Sequence, residues 1–254
     1  MENSIIFKNV SKSYLKTKGR YGLLTDLIGE NLFKVKNKTV DKNNMVNALS
    51  NVSFEVKRGE VLGIIGRNGA GKSTILKLIS KITYPDRGQV QSRGRIGAFI
   101  ELGAGLHVEL TGRENIFLYG SILGMKKSEI DARFSEIVEF AELKKFLDVP
   151  IKRYSTGMYS RLGFSVCVFC SPEILLVDEV LAVGDTNFQA KCLAKMESFA
   201  KSDKTIVFIS HDLGAIEKIC DRVILLDHGK VAADGSAKRI INIYLDKYTD
   251  TSLE

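Results

Sequence analysis

Residues 61–74 read Val61-Leu62-Gly63-Ile64-Ile65-Gly66-Arg67-Asn68-Gly69-Ala70-Gly71-Lys72-Ser73-Thr74. A wholly apolar run, Val61–Ile65, enters a glycine-rich turn, and a helical pattern leaves it from Ser73 to Ser80. The turn fits G-x-x-x-x-G-K-[ST], in the strand–loop–helix setting that this motif requires. Glycines let the backbone wrap closely around phosphates with its amide hydrogens pointing inward, and the helix N-terminus adds a favourable dipole. Gly66 through Thr74 are therefore candidate contacts to a nucleotide's phosphates. Lys72 would set a point charge on the outer phosphates, and the Ser73 hydroxyl would ligate Mg2+.

Working outward, the same alternation recurs. Short β-branched runs (Val61–Ile65, Ile96–Ile100, Ile174–Val177, Thr205–Ile209, Val223–Leu226) are separated by helical patterns (Ser73–Ser80, Glu129–Ala141, Phe188–Ala200, Leu213–Cys220). Continuous apolar strands between amphipathic helices indicate a parallel sheet covered on both faces. Residues 112 to 171 are mostly helical, and Ala237 to Tyr248 reads as one amphipathic helix. The expectation is one α/β domain over 1–254, with a core of 1–97 and 172–254 and an inserted helical subdomain over 98–171.

A second chemical signal is Ile174-Leu175-Leu176-Val177-Asp178-Glu179, an apolar strand ending in two acids about 100 residues after the glycine loop. Asp178 would hold Mg2+ directly or through water, and Glu179 would orient and polarise an attacking water. Together with the loop, this spacing points to nucleotide hydrolysis rather than binding alone.

Composition limits the alternatives. Of 254 residues, 44 % are apolar and 26 % charged, and 37 basic side chains against 30 acidic ones give +7. These are globular values, and a chain this long buries roughly three quarters of its unfolded surface without staples. The positive balance favours an anionic partner, whether nucleotide, nucleic acid or membrane headgroups, and equally fits a lysine-rich surface. Cys167 and Cys170 form a C-x-x-C inside an apolar stretch. No second pair or histidine couplet follows at zinc spacing, so the four cysteines read as reduced and buried, with a redox or metal role as the alternative. The N-terminus shows no basic-then-apolar signal pattern, and no apolar run reaches 18 residues. A soluble chain is expected, reaching a membrane through a partner or a surface contact. Residues 15–45 are lysine-rich, with Leu24, Leu27, Ile28 and Leu32 at helical spacing. They read as a basic-flanked amphipathic helix, either packed on its own domain or touching headgroups.

The third motif is Tyr154-Ser155-Thr156-Gly157-Met158, ahead of an apolar helix Tyr159–Cys170. Alone it reads as an ordinary N-capped helix. With the glycine loop and the paired acids, the chain resembles the nucleotide-binding subunit of ABC transporters. Their L-S-G-G-Q signature is matched here at Ser155, Gly157 and the later Arg161, whereas Tyr154, Thr156 and Met158 depart. The resemblance implies ATP and Mg2+ as ligands. It places Asp185 at the D-loop aspartate, His211 at the switch histidine facing the γ-phosphate, and Tyr14 at the aromatic that stacks on adenine. It also implies a head-to-tail homodimer, in which Ser155 and Gly157 serve the partner's nucleotide. Glu101 stands where the family has a glutamine near Mg2+. Val180 replaces the usual proline.

The stretch Glu101-Leu102-Gly103-Ala104-Gly105-Leu106-His107-Val108-Glu109-Leu110-Thr111-Gly112-Arg113-Glu114-Asn115-Ile116 is similar to ABC ATPases that export bacterial surface polysaccharides. Residues 154–164 and 179–185 are similar to the same group. This implies a membrane permease partner in two copies and a lipid-linked glycan of O-antigen, capsule or teichoic acid type. It also implies a peripheral position at the cytoplasmic face of the inner membrane. Because the chain ends soon after its last helix, no appended carbohydrate-binding domain is expected. An importer ATPase is one alternative. A soluble ABC ATPase on nucleic acid or ribosomes is another, but such proteins usually carry tandem ATPase domains or a coiled-coil arm, and no nucleic-acid partner is expected here.

Overall fold

A computed structural model describes residues 2–15, 45–100, 105–178 and 185–249. In chain order the elements are β1 (Asn3–Leu15), β2 (Met45–Lys57), β3 (Val61–Ile65), α1 (Lys72–Ile79), β4 (Arg87–Ser92) and β5 (Ile96–Phe99). Then come α2 (Gly112–Ile122), α3 (Lys127–Ala141), α4 (Thr156–Phe169), β6 (Ile174–Val177), α5 (Thr186–Ala200) and β7 (Thr205–Ile209). The chain closes with α6 (Leu213–Ile219), β8 (Arg222–Asp227), β9 (Lys230–Ser236) and α7 (Ala237–Thr249).

The strands form two sheets. One has the order β5-β6-β7-β3-β8-β9, parallel except for its β9 edge; the other is an antiparallel β2-β1-β4 sheet. The strands read from the apolar runs all lie in the first sheet, within one or two residues of their expected ends. Strand side chains alternate between faces, and here both faces are apolar. Val61, Ile65, Leu175, Val177, Ile206, Phe208, Val223 and Leu225 face a core shared with α4, α5, α6 and α7. Leu62, Ile64, Ile174, Leu176, Val207, Ile209, Ile224 and Leu226 face a second core, shared with α1 and the antiparallel sheet. Burying each such side chain contributes about 1.5–3 kcal/mol.

Helices α2, α3 and α4 pack on one another, and α4 also reaches β5. Residues Leu162–Phe169 of α4 are all buried, so this part of the helix is enclosed on every side. Ala98 and Phe99 belong to β5 in the parallel sheet. Cys167, Cys170, Cys192 and Cys220 are all buried. Burial raises the Cys167 and Cys170 thiols and pushes those of Cys192 and Cys220 up to about 12, so they pack as small apolar groups. Among the described residues no helix is long and apolar enough to cross a membrane. The lysine-rich amphipathic stretch, residues 16–44, lies outside the described residues.

Candidate functional site

The parallel strands end at one edge. Val177 pairs with Phe208 and Ile64 with Ile209. Residues immediately after β3, β6 and β7 therefore converge there: the glycine loop, Asp178, and Ser210 with His211. Grouping at the carboxyl ends of parallel strands is the usual place for a ligand in an open α/β sheet.

The loop is shaped from three directions. Gly66 has φ 151°, and a β-carbon on it would stand 2.3 Å from the Leu226 carbonyl oxygen. Gly71 has φ 104°, and a β-carbon there would stand 2.5 Å from the Ala48 carbonyl oxygen of β2. Both positions need glycine. The third support is the turn between β8 and β9: the Gly229 amide donates to the Ala70 carbonyl at 3.1 Å, and the Ser50 amide donates to the Gly229 carbonyl at 2.8 Å.

Lys72 opens α1 and is only 7 % exposed. Its Nζ donates back to the Gly66 carbonyl at 2.7 Å and the Arg67 carbonyl at 3.2 Å, closing the loop into a ring around an ammonium. Ser73, one residue on, is exposed, whereas Arg67, Asn68 and Gly69 form the open rim. Asp178 is 8 % exposed, and its amide donates to the Phe99 carbonyl at 3.0 Å. A hydroxyl and a carboxylate at one strand edge are oxygen donors suited to a hard cation.

A cavity of about 390 Å³ lies against the loop, lined by Arg67, Asn68, Gly69, Ala70, His211, Asp227, His228 and Tyr244. It brings His211 onto the same opening as the loop. Asp227, His228 and Tyr244 carried no sequence signal. Their approach depends on the β8–β9 turn and on the register of α7, whose Ala237, Ile240 and Ile241 are buried. Lys247 on α7 pairs with Asp227 at 2.7 Å and holds that carboxyl below its ordinary range.

Tyr14 stands near the end of β1, opposite Val46. It is 39 % exposed. Val46 is two residues before Ala48, which touches the loop, so the ring sits at the loop end of the antiparallel sheet but does not line the cavity. Lys12 Nζ lies 5.5 Å from the ring centroid.

Ser155 caps α4, its Oγ accepting from the Met158 amide at 3.2 Å. Ser155 and Thr156 are exposed. Neither Ser155 nor Gly157 lines the cavity, so one chain does not join this helix end to its own loop. Behind it, Arg161 is mostly buried and pairs with Asp185 and, at 2.8 Å, with Glu142; Lys191 also pairs with Glu142. Asp185 caps α5 by accepting from the Phe188 amide at 2.9 Å. The amide bond and Arg161 depress the Asp185 carboxyl, and Lys191 does the same for Glu142.

The stretch leading into α2 is organised by Asn115, which is fully buried. Its Oδ1 accepts from the His107 amide at 2.7 Å. Its Nδ2 donates to the carbonyls of His107, Leu110 and Thr111 at 3.1, 3.0 and 2.9 Å. Thr111 and Glu114 complete a capping box. Glu101 and Glu179, with Val180, lie outside the described residues.

A glycine loop ringed around a lysine, with an acid and a histidine at the ends of neighbouring parallel strands, defines a phosphate-loop nucleotide hydrolase. The ABC transporter family model matches residues 49–182. The chain belongs to the ABC transporter family, as an ATP-binding and ATP-hydrolysing domain. It is 44 % identical over 245 residues to the O-antigen export system ATP-binding protein RfbB of Klebsiella pneumoniae, covering 96 % of this chain and 98 % of that one. It is 41 % identical over 257 residues to the teichoic acids export ATP-binding protein TagH of Bacillus anthracis, covering 100 % of this chain and 45 % of that one. Among solved structures, the dimeric bacterial ABC transporter cassette MJ0796 superposes with a TM-score of 0.71 at 25 % identity, over 92 % of this chain and 98 % of that one.

Proposed function

We propose that this chain is the ATPase subunit of an exporter that moves a lipid-linked surface polysaccharide across the inner membrane. The observation that carries the ATPase part is the loop ring around Lys72. The backbone of the turn and the N-terminus of α1 would meet the phosphates, while Lys72 supplies charge beneath them. The near full-length likeness to an O-antigen export ATP-binding protein supports the substrate class.

In this reading Gly66–Thr74 hold the phosphates, Tyr14 stacks on adenine, and His211 orients the γ-phosphate. Ser73 and Asp178 would hold Mg2+, with Glu101 beside them; the bound ion neutralises developing charge on the phosphates. Glu179 takes the proton of the attacking water, a contribution of about 10²–10⁴-fold for a positioned base. Two chains associate head-to-tail. The exposed end of α4, with Ser155 and Gly157, completes the partner's site. Residues 101–109 and the helices α2–α4 form the surface toward a permease, and the chain sits peripherally on the cytoplasmic face of the membrane.

Glu179→Gln tests both halves of the reading. The purified variant is expected to stay as an ATP-bound dimer on size-exclusion chromatography. Cells carrying it as the sole copy are expected to accumulate the glycan inside and lose it from the surface. Undiminished turnover would reject the ATPase assignment, and a normal surface glycan beside a trapped dimer would reject the substrate class.

A further inference from the structure

The terminal helix reaches the loop by two contacts that the ATPase reading leaves unused. The Arg67 guanidinium carbon lies 5.7 Å from the centroid of the Tyr248 ring. One residue earlier, Lys247 pairs with Asp227, the carboxylate of the cavity wall. Tyr248 itself is held by a tilted ring contact with Tyr244, with centroids 5.1 Å apart, and by packing against the core that holds Ile240 and Ile241.

These contacts solve a problem of charge. Arg67 is exposed on the loop rim, and a long cation there samples many rotamers. Asp227 lines the same cavity and, unpaired, would both capture Arg67 and repel an incoming phosphate. An ammonium on Asp227 removes that competitor. An aromatic face under the guanidinium limits its freedom without neutralising it, because a cation–π contact leaves the charge available for an anion.

We propose that α7 tunes nucleotide affinity: Tyr248 is a positioning residue that seats Arg67 over the mouth of the phosphate loop, and Lys247 neutralises Asp227 so that the cavity accepts a polyphosphate. The inference rests on the ATP-site reading above and adds to it a specific task for the terminal helix.

The test uses the full chain and the non-hydrolysable analogue AMPPNP with Mg2+, reading Kd by titration calorimetry. Tyr248→Leu is expected to raise Kd about two- to five-fold, the scale of one cation–π contact. Tyr248→Phe keeps the ring face and is expected to bind as the unmodified chain does. In an Arg67→Met background the effect of Tyr248→Leu is expected to shrink to what the ring contributes through Lys247, whose Nζ lies 5.4 Å from its centroid. Lys247→Gln changes an exposed side chain and is expected to weaken binding by about two-fold or more through the uncompensated Asp227. It keeps the test open if Tyr248→Leu does not fold. Unchanged Kd in Tyr248→Leu, a full effect of it in the Arg67→Met background, or unchanged Kd in Lys247→Gln overturns the proposal. Failure of the unmodified chain to bind AMPPNP would instead reject the underlying ATP site.

Discussion

Lys72 is surrounded by its own loop, its ammonium bonded to two carbonyls of the segment that would hold phosphates. Removing the charge while keeping the stem, as in Lys72→Met, deprives the phosphates of a cation and two loop carbonyls, that of Gly66 buried and that of Arg67 part-buried, of their donor. Hydrogen bonds involving a charged group contribute about 1.5–3 kcal/mol each. ATP affinity is expected to fall at least about ten-fold and turnover to vanish; calorimetry and phosphate release check this. At this scale much of the site was legible. Lys72, Ser73, Asp178 and His211 each follow an apolar run, and a parallel sheet brings such positions to one edge. Tyr244 and Asp227 were not legible. Neither follows a motif, and only the packing of α7 against the last hairpin carries them to the loop.

The elements around the site are fixed by short polar devices. Asn115 makes four bonds to the backbone that precedes α2. Leucine has a similar size but leaves an amide and three carbonyls without that partner. Asn115→Leu is expected to destabilise the chain by about 2–4 kcal/mol, given about 1–3 kcal/mol for each buried group left unpaired and partial rescue by water. Chemical denaturation measures it. If residues 101–109 face a permease, the same change also weakens stimulation of the ATPase by that partner. Helices and central strands were readable because their periodicity is unbroken. The long strands β1 and β2 were harder. Asn9 and Asn51 take positive φ values of 51° and 54°, and β1 shifts register against β2 between Phe7 and Val10. Each irregularity interrupts the alternation that marks a strand. Strand β9 alternates only between exposed and half-buried residues, so its apolar signal is faint.

Across the molecule, α3, α4 and α5 are tied by carboxylates. Glu142 and Asp185 share Arg161, and Glu142 also takes Lys191. Both carboxyls sit below their ordinary range in the folded chain. Groups depressed by folding stabilise it above the unfolded-state value, and that contribution is lost as pH falls through the folded-state value. Melting temperature is therefore expected to decline below the ordinary carboxylate range, with a shallower decline in Glu142→Gln, as scanning calorimetry from neutral to acid pH would reveal. The exposure of both side chains keeps the effect modest.

The glycine loop at residues 66–73 has walls from Ala48, before it, and from Gly229, far behind it in sequence. A chain made from its N-terminus would present the loop long before the Gly229 amide exists to bind Ala70. Contacts of such separation form late, because chain closure must precede them. Nucleotide competence is then one of the last properties the chain acquires during synthesis, so a half-made chain has the motif without the site.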